Sequence, residues 1–302
     1  MALPVASLRI LISGASGLIG TELAQQLRLA GHSVFSFVRH EPRSNSEIRW
    51  DPSSGYLDEK VLVGADAVIN LSGASLGRLP WSADYQKKIL TSRLETTKTL
   101  VDSMGRSGRP PITFLCASAV GVYGDRPGVS LSDGSSSGDG FLADVVEAWE
   151  KAARRTPAAT RLVSLRTGLV IATQGALQPL FPLTKLGLGA RIGSGDQHWP
   201  WISLYDEAAA IRHLLNSSLS GPINLAGPVP ATSERVTSTL ARKLHRPHLF
   251  ALPTKLVATG MGLPGRELLL ASQKVIPSAL LADGFNFRHP SVESAFDALF
   301  TR

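Results

Sequence analysis

The sequence contains a single cysteine, Cys116, among its 302 residues. One thiol excludes an internal disulfide and a cysteine-rich metal site, and it fits a reducing compartment. The histidine, aspartate and glutamate residues also lack the spacing typical of metal ligands, so no metal is expected. Because Cys116 falls inside an apolar stretch, we expect a small core residue there and not a catalytic thiol.

Long apolar runs are missing as well. No segment approaches the length that spans a bilayer, and the residues after Met1 do not form a charged stretch followed by an apolar one. These absences predict a cytoplasmic protein without a membrane partner. With 43% hydrophobic and 18% charged residues, the chain can bury an ordinary core and is not expected to be disordered.

Acidic residues are outnumbered by basic ones, 24 against 31, which gives a formal net charge of +7. A positive balance suits nucleic acid, a membrane surface or a phosphate-bearing ligand. The basic residues are spread along the chain, and no lysine and arginine run is interleaved with aromatic residues. We therefore expect no nucleic-acid partner, and the charge is that of a basic but ordinary soluble protein.

What the sequence does contain is an alternation of short apolar runs and amphipathic stretches. The apolar runs predict strands, and the amphipathic stretches between them predict helices. The predicted strands cover residues 8–13, 33–38, 66–70, 112–117 and 162–166, and the predicted helices cover residues 21–30, 85–104 and 142–155. This alternation is typical of the Rossmann-type α/β fold, a doubly wound parallel sheet.

The regular alternation ends near residue 175, beyond which proline and glycine become frequent. We predict a Rossmann domain over residues 1–174 and a smaller, mostly helical substrate lobe over residues 175–302, with some strands returning to the main sheet. Within this lobe, residues 187–200 are predicted to form a long loop. Helices are predicted over residues 205–216 and 233–244.

A glycine motif follows the first predicted strand. In a strand–turn–helix, Gly14 permits the tight turn, Gly17 lets a phosphate approach bare backbone, and Gly20 lets the helix pack on the strand. The free amides at the helix N-terminus, aligned with the helix dipole, favour a pyrophosphate. In this context the motif predicts a dinucleotide site.

The end of the second predicted strand distinguishes the two nicotinamide cofactors. An acidic residue there would hold the ribose 2′-hydroxyl of NAD(H) and repel the 2′-phosphate of NADP(H). This chain has Arg39 instead, followed by His40 and Arg43. A guanidinium is the better partner for a phosphate, so the sequence favours NADP(H) over NAD(H). The alternative is that Arg39 is a solvated charge at a strand end.

The Gly-x-x-Gly-x-x-Gly spacing resembles that of the extended short-chain dehydrogenase/reductases. The segments DAVINLSG (66–73) and SAVGVYG (118–124) are similar to the third-strand and fourth-strand segments of that superfamily. The motifs SRLETT (92–97), PWI (200–202), QKVIP (273–277) and GFNF (284–287) resemble its atypical "epimerase family" subgroup, which has a characteristic C-terminal domain. This likeness extends over nearly the whole chain.

The resemblance implies a set of cofactor contacts and a class of substrate. The implied contacts, together with those of the glycine turn, are Gly14, Ala15, Ser16, Gly17, Leu18, Ile19, Arg39, Leu71, Ser72, Gly73, Arg93 and Ala117. The resemblance further implies a small-molecule substrate of the sugar-nucleotide type and a reaction of epimerisation or oxidoreduction. Since members of the superfamily often dimerise through paired helices, a homodimer is implied by analogy alone.

The sequence departs from the superfamily at the catalytic pair. Active members use a serine with Tyr-x-x-x-Lys, in which the lysine lowers the pKa of the tyrosine. When Glu150 is aligned with the usual acid at the helix end, Leu142 and Val146 occupy the tyrosine and lysine places, and neither can transfer a proton. Ser118 remains as a catalytic candidate, and Tyr123 is a weaker one. Other conceivable substitutes are Asp144, Glu147 and His198.

Two functions stay open on these residues. The first is an NADP(H)-dependent epimerase or oxidoreductase with a non-standard proton donor. The second is a regulatory or redox-sensing protein that holds NADP(H) without turnover, because the tyrosine and lysine are missing. Trp199 and Trp201 either form a wall of the substrate pocket or pack between the lobes.

Overall fold

The computed structural model describes residues 7–301, and its strands are short and numerous. In chain order they are β1 (Arg9–Ser13), β2 (Ser33–Val38), β3 (Glu47–Arg49), β4 (Ala67–Asn70), β5 (Thr113–Ala119), β6 (Ser130–Leu131), β7 (Arg161–Thr167), β8 (Leu169–Ile171), β9 (Ala190–Ile192), β10 (His198–Trp199), β11 (Trp201–Ser203), β12 (Gly221–Leu225), β13 (Ala231–Thr232), β14 (Phe250–Leu252) and β15 (Lys274–Val275). Residues 1–6, part of the segment in which we expect no leader, and residue 302, at the end of the predicted lobe, lie outside the described residues.

Helices connect most of the longer strands. They are α1 (Leu18–Leu29), α2 (Ala83–Arg106), α3 (Phe141–Ala153), α4 (Leu180–Lys185), α5 (Leu204–Asn216), α6 (Ser233–Lys243), α7 (Thr254–Gly260), α8 (Ser278–Ala282) and α9 (Val292–Phe300). A π-helical turn at Gly265–Leu270 follows α7. The predicted helices near residues 21–30, 85–104, 142–155, 205–216 and 233–244 are all present as α1, α2, α3, α5 and α6.

The main sheet has seven parallel strands in the order β12-β7-β5-β4-β1-β2-β3. The chain winds outward from β1 through β2 to β3, then returns to the other side of β1 with β4. This confirms the predicted α/β class with a doubly wound parallel sheet. In such sheets ligands bind beyond the carboxyl ends of the strands, at the point where the winding reverses. Here that point lies between β1 and β4.

The central strands are buried because helices cover both faces of the sheet. Ile10 and Ile12 of β1 face a core cluster that includes α1 and α5, whereas Leu11 faces a second cluster that includes α2 and α3. All three side chains are inaccessible to solvent. A strand buried on both faces is apolar along its whole length, which explains why the sequence shows continuous apolar runs and no alternation.

Two strands of the main sheet were not among the predicted ones. Strand β3 has three residues, too few to show a periodicity. Strand β12 begins Gly221-Pro222, residues that argue against a strand interior, and the structure places it at the sheet edge, where proline is tolerated.

The prediction of a long loop over residues 187–200 is wrong. Strands β9 and β10 lie within it: β9 pairs in parallel with β14, and β10 pairs with β13 in antiparallel fashion. Each strand has two or three residues, and its partner lies more than thirty positions later in the chain. Because the pairing is distant and the strands are short, no local pattern marks them.

Candidate functional site

A cavity of about 430 Å³ opens above the carboxyl ends of the central strands. Gly14 follows β1 and Leu71 follows β4. Ser118 and Thr167 lie at the carboxyl ends of β5 and β7, and all four residues line the cavity. A volume of this size is typical of small-molecule sites. The cavity therefore lies where the winding of the sheet reverses, as expected for a nucleotide-binding α/β fold.

The glycine turn between β1 and α1 leaves no room for side chains. Gly14 has a φ of +74°, and a Cβ there would lie 2.8 Å from the carbonyl of Leu71. A Cβ on Gly20 would lie 2.2 Å from the carbonyl oxygen of Gly14. In the described part of the chain, no side chain caps the start of α1, and its first turn contains no acidic residue. The amides of this turn are thus available to an anionic group.

Most of the predicted cofactor contacts surround this cavity. Those that line it are Gly14, Gly17, Leu18, Ile19, Leu71, Gly73, Arg93 and Ala117. Ala15, Ser16 and Ser72 belong to the same two turns but lie off the lining, and Arg39 is exposed beyond the end of β2. The structure thus brings the two turns together and leaves Arg39 at the solvent edge. The contacts themselves stay predictions.

Arg93 is the cation of the cavity wall. It is buried, its Nη1 donates to the carbonyl oxygens of Ile89 at 2.9 Å and Ala74 at 3.2 Å, and its guanidinium lies 5.1 Å from the ring centre of Trp149. Burial lowers its pKa to about 10, so it remains charged at neutral pH. Its position beside Gly73 gives the cavity one fixed positive charge.

The α3 wall is apolar at the two positions where the resemblance to the superfamily would place a tyrosine and a lysine. Leu142 and Val146, at the tyrosine and lysine places, both line the cavity. Asp144 and Glu147 are exposed on the opposite face of α3 and lie off the lining. His198 is partly buried in β10 and is also off the lining; burial and Lys274 lower its pKa. None of these three substitutes reaches the cavity.

Tyr123 lies inside the protein and not on the cavity lining. Its hydroxyl is 2.6 Å from Asn224 Oδ1, to which it donates, and it accepts from Arg166 Nη1 at 3.0 Å. Burial raises the pKa of the phenol, although Arg166 opposes this. A role for Tyr123 as proton donor stays a prediction, and its placement makes it part of an internal network.

Ser118 lines the cavity and is held from below by the same network. Its hydroxyl donates to Glu150 Oε1 at 2.7 Å. Arg166 binds that carboxylate through two hydrogen bonds, from Nε at 2.8 Å and from Nη2 at 3.0 Å. The sequence does not identify Glu150 as the partner of Arg166, although an arginine inside the strand LVSLRT indicates a buried charge that requires a partner.

A second buried acid lies beneath Thr167. Glu207, in the first turn of α5, is inaccessible to solvent, and its Oε1 accepts from Thr167 Oγ1 at 2.8 Å. Its Oε2 is buried with no hydrogen-bond partner among the described residues. Burial raises its pKa to about 8. The sequence marks it only by an acidic pair, Asp206 and Glu207, that precedes the apolar run 208–211.

The C-terminal segment closes the cavity opposite the sheet. Glu267 accepts from the amides of Phe141 at 2.8 Å and Leu142 at 2.7 Å, and so caps α3. A Cβ on Gly140 would lie 3.1 Å from Glu267 Oε1, so the glycine makes room for the carboxylate. Gln273, which also lines the cavity, donates to the carbonyl of Gly124 at 2.8 Å. No local pattern in the sequence marks Glu267 as part of a site.

The two tryptophans that follow residue 198 differ in position. Trp199 lines the cavity and donates from Nε1 to the carbonyl of Leu269 at 3.1 Å. Trp201 is buried in the core of the C-terminal part and donates to the carbonyl of Val229 at 3.0 Å. One of the pair therefore forms a wall of the pocket, and the other packs in the interior.

Several other kinds of chemistry have no counterpart in residues 7–301. No three histidine, cysteine, aspartate or glutamate side chains in this range lie together as metal ligands would. No helix in it is long and apolar enough to cross a membrane. Cys116 is buried, and burial raises its pKa to about 12, so the thiol stays protonated at neutral pH.

Comparison with known proteins gives matches over nearly the whole chain. The model of the "NAD dependent epimerase/dehydratase family" matches residues 10–140, and that of a "domain of unknown function (DUF1731)" matches residues 252–299. An epimerase family protein of Mycobacterium leprae is 38% identical over 97% of this chain and 96% of its own length.

Two solved structures are similar in fold and sequence. A crystal structure of the human epimerase family protein SDR39U1 with NADPH superposes with a TM-score of 0.88 and 32% identity, over 98% of this chain and 100% of that one. A nucleoside-diphosphate sugar epimerase from Corynebacterium glutamicum has a TM-score of 0.78 and 31% identity, over 97% of this chain and 58% of that one.

Proposed function

Because this chain belongs to the epimerase family of the extended short-chain dehydrogenase/reductases, we propose that it binds NADP(H) and transfers hydride between this cofactor and a small molecule. The observation that carries the proposal is the glycine turn, whose uncapped amides open onto the same cavity as Ser118 and Thr167. Side chains at Gly14 or Gly20 would collide with backbone, so the turn fits a pyrophosphate. When bound, the nicotinamide supplies or accepts the hydride.

Arg39 is proposed to select the phosphorylated cofactor. It lies exposed just beyond β2, where the adenosine ribose of a dinucleotide is bound in this fold. The human relative was crystallised with NADPH, which supports the choice. Arg93, beside Gly73, would hold a second part of the cofactor in the cavity.

We expect the substitution Arg39→Asp to reverse the cofactor preference. It removes a charge-assisted contact worth about 1.5–3 kcal/mol, so the affinity for NADPH should fall about ten- to a hundredfold relative to NADH. Calorimetric titration with both cofactors measures the ratio. Arg109→Asp makes the same charge change at an exposed position before β5, at the amino ends of the parallel strands, and should leave the ratio unchanged. An unaltered ratio in Arg39→Asp would disprove this role.

Ser118 is proposed to orient the substrate oxygen. Since its proton is directed to Glu150, its remaining lone pairs can accept a hydrogen bond from a substrate hydroxyl. We expect Ser118→Ala to lower turnover by about 10²–10³-fold with unchanged affinity for NADPH. Ser220→Ala, an exposed serine before β12, is the matched control. Rates that survive in Ser118→Ala would remove Ser118 from the mechanism.

A second function, NADP(H) binding without turnover, is favoured by one observation. Within the described lining of the cavity there is no tyrosine, lysine or histidine, and Leu142 and Val146 stand in the places of the usual pair. The two functions are separated by following NADPH oxidation with a panel of small carbonyl compounds and sugar nucleotides. Tight binding of NADPH without oxidation by any of them would favour the second function.

A further inference from the structure

The charges around the cavity are few and lie far apart. Among the described residues of the lining, only Arg93 and Glu267 carry charged side chains. Glu267 binds the first turn of α3, whereas Arg93 lies over Trp149, eight residues further along this helix. At 1.5 Å per residue, Phe141 and Trp149 lie about 12 Å apart along the axis of α3. A ligand beside the start of α3 therefore meets a negative charge and no positive one.

Two helix N-termini face this cavity, and they are in opposite states. The start of α1 has no side-chain cap from the described residues, and an anion is expected there because the glycine turn is built for it. At the start of α3, by contrast, both leading amides are already bound by Glu267. The full negative charge of the carboxylate exceeds the partial positive charge of the helix dipole, about half an elementary charge, at that end. A second anionic group, in a substrate, would have no amide to bind and would be repelled.

The wall between these ends offers apolar surface and a few uncharged polar groups. Leu142, Val145 and Val146 of α3 face the cavity, and Leu268 and Ala271 of the C-terminal segment join them. The uncharged hydroxyl and amide side chains of the lining belong to Ser75, Ser118, Thr167 and Gln273. Burying a diphosphate against such a wall without a cation would carry a large desolvation cost.

We infer that the substrate is an uncharged, largely apolar carbonyl compound or its alcohol, and that Glu267 excludes anionic substrates such as nucleoside diphosphate sugars. This inference rests on the proposed function. It names a different substrate class from the sugar nucleotide that the family resemblance implies. Glu267 acts as a specificity residue: it shapes the wall, holds α3 and sets the sign of the charge that a substrate meets.

Two ketones of equal shape test this inference, 4-acetylbenzamide and 4-acetylbenzoate. Their binding at pH 7 to protein saturated with NADP⁺ is measured by calorimetry, with UDP-glucose as a third probe. We expect the amide to bind about tenfold more tightly than the benzoate, because one charge at several Å in a partly screened site contributes about 1–2 kcal/mol. UDP-glucose should not bind at millimolar concentration.

The substitution Glu267→Gln removes the charge at nearly constant shape: its side-chain oxygen keeps one of the two hydrogen bonds to the α3 amides, and the other is lost. In this variant the ratio of the affinity for the amide to the affinity for the benzoate should fall about three- to tenfold. The same change at Glu95, an exposed residue of α2, should leave this ratio unchanged. Equal or tighter binding of the benzoate, binding of UDP-glucose, or binding of neither ketone would overturn the inference. Failure of NADP⁺ itself to bind would instead overturn the proposed function.

Discussion

Replacement of Glu150 by alanine is expected to lower the free energy of unfolding by about 3–5 kcal/mol. The carboxylate contacts polar side chains of two neighbouring strands. It accepts from Ser118 Oγ on β5 and binds the Arg166 guanidinium on β7 through two hydrogen bonds. Both members of the ion pair are almost fully buried, with side-chain exposures of 6% and 8%. Without Glu150 the charge of Arg166 would be buried and uncompensated.

Urea denaturation of the purified variants measures this loss. Glu147→Ala lies one turn earlier on α3 and is exposed, so it should change stability by no more than about 0.5–1 kcal/mol. The double substitution Glu150→Leu with Arg166→Met removes both charges, and it should recover most of the lost stability, because well-packed apolar residues often replace a buried ion pair without cost. If Glu150→Ala were as stable as Glu147→Ala, the network would contribute nothing to the free energy of unfolding.

Raising the pH from 5 to 9 is expected to destabilise the native protein through Glu207 by an amount on the order of 4 kcal/mol. Burial raises the pKa of this acid from 4.5 to about 8 in the folded state. Below pH 4.5 the group is protonated in both states, and its contribution to stability is complete. Between pH 4.5 and about 8 the unfolded state ionises while the folded state does not, so stability falls; above about 8 the contribution is lost.

The substitution Glu207→Gln tests this directly, because a glutamine is neutral at every pH and can still bond to Thr167. The difference in unfolding free energy between the native protein and Glu207→Gln should grow steadily from pH 5 to pH 9, in favour of the variant. Glu95→Gln, at an exposed position, should show no such trend. A difference that stays constant over this range would mean that Glu207 is already ionised in the folded protein.

Glu150 and Glu207 each bind a hydroxyl group of a residue that lines the cavity. Glu150 holds Ser118 and Glu207 holds Thr167, and these two hydroxyls lie on neighbouring strands, since Thr167 pairs with Ala119 next to Ser118. The hydroxyl positions are therefore set by groups in the interior and not by solvent. Because these side chains are already ordered, little free energy is spent on fixing them when a ligand binds.

The sequence by itself determined those features that depend on neighbouring residues. Apolar runs identify strands buried on both faces, helical periodicity identifies α1, α2 and α3, and the spacing of Gly14, Gly17 and Gly20 requires one kind of turn. The position of Arg39 at the end of β2 is equally local. Periodicity and turn stereochemistry are properties of short segments, so a single sequence is sufficient to reveal them.

Only the tertiary structure decided which distant residues meet. Glu267 reaches Phe141 across 126 positions of the chain, and Glu207 reaches Thr167 across 40. The short strands β9 and β10 exist only because β14 and β13 lie beside them. Such contacts arise when packing brings separate segments together, and a carboxylate carries no local mark of whether it will face water, a buried guanidinium or the end of a helix.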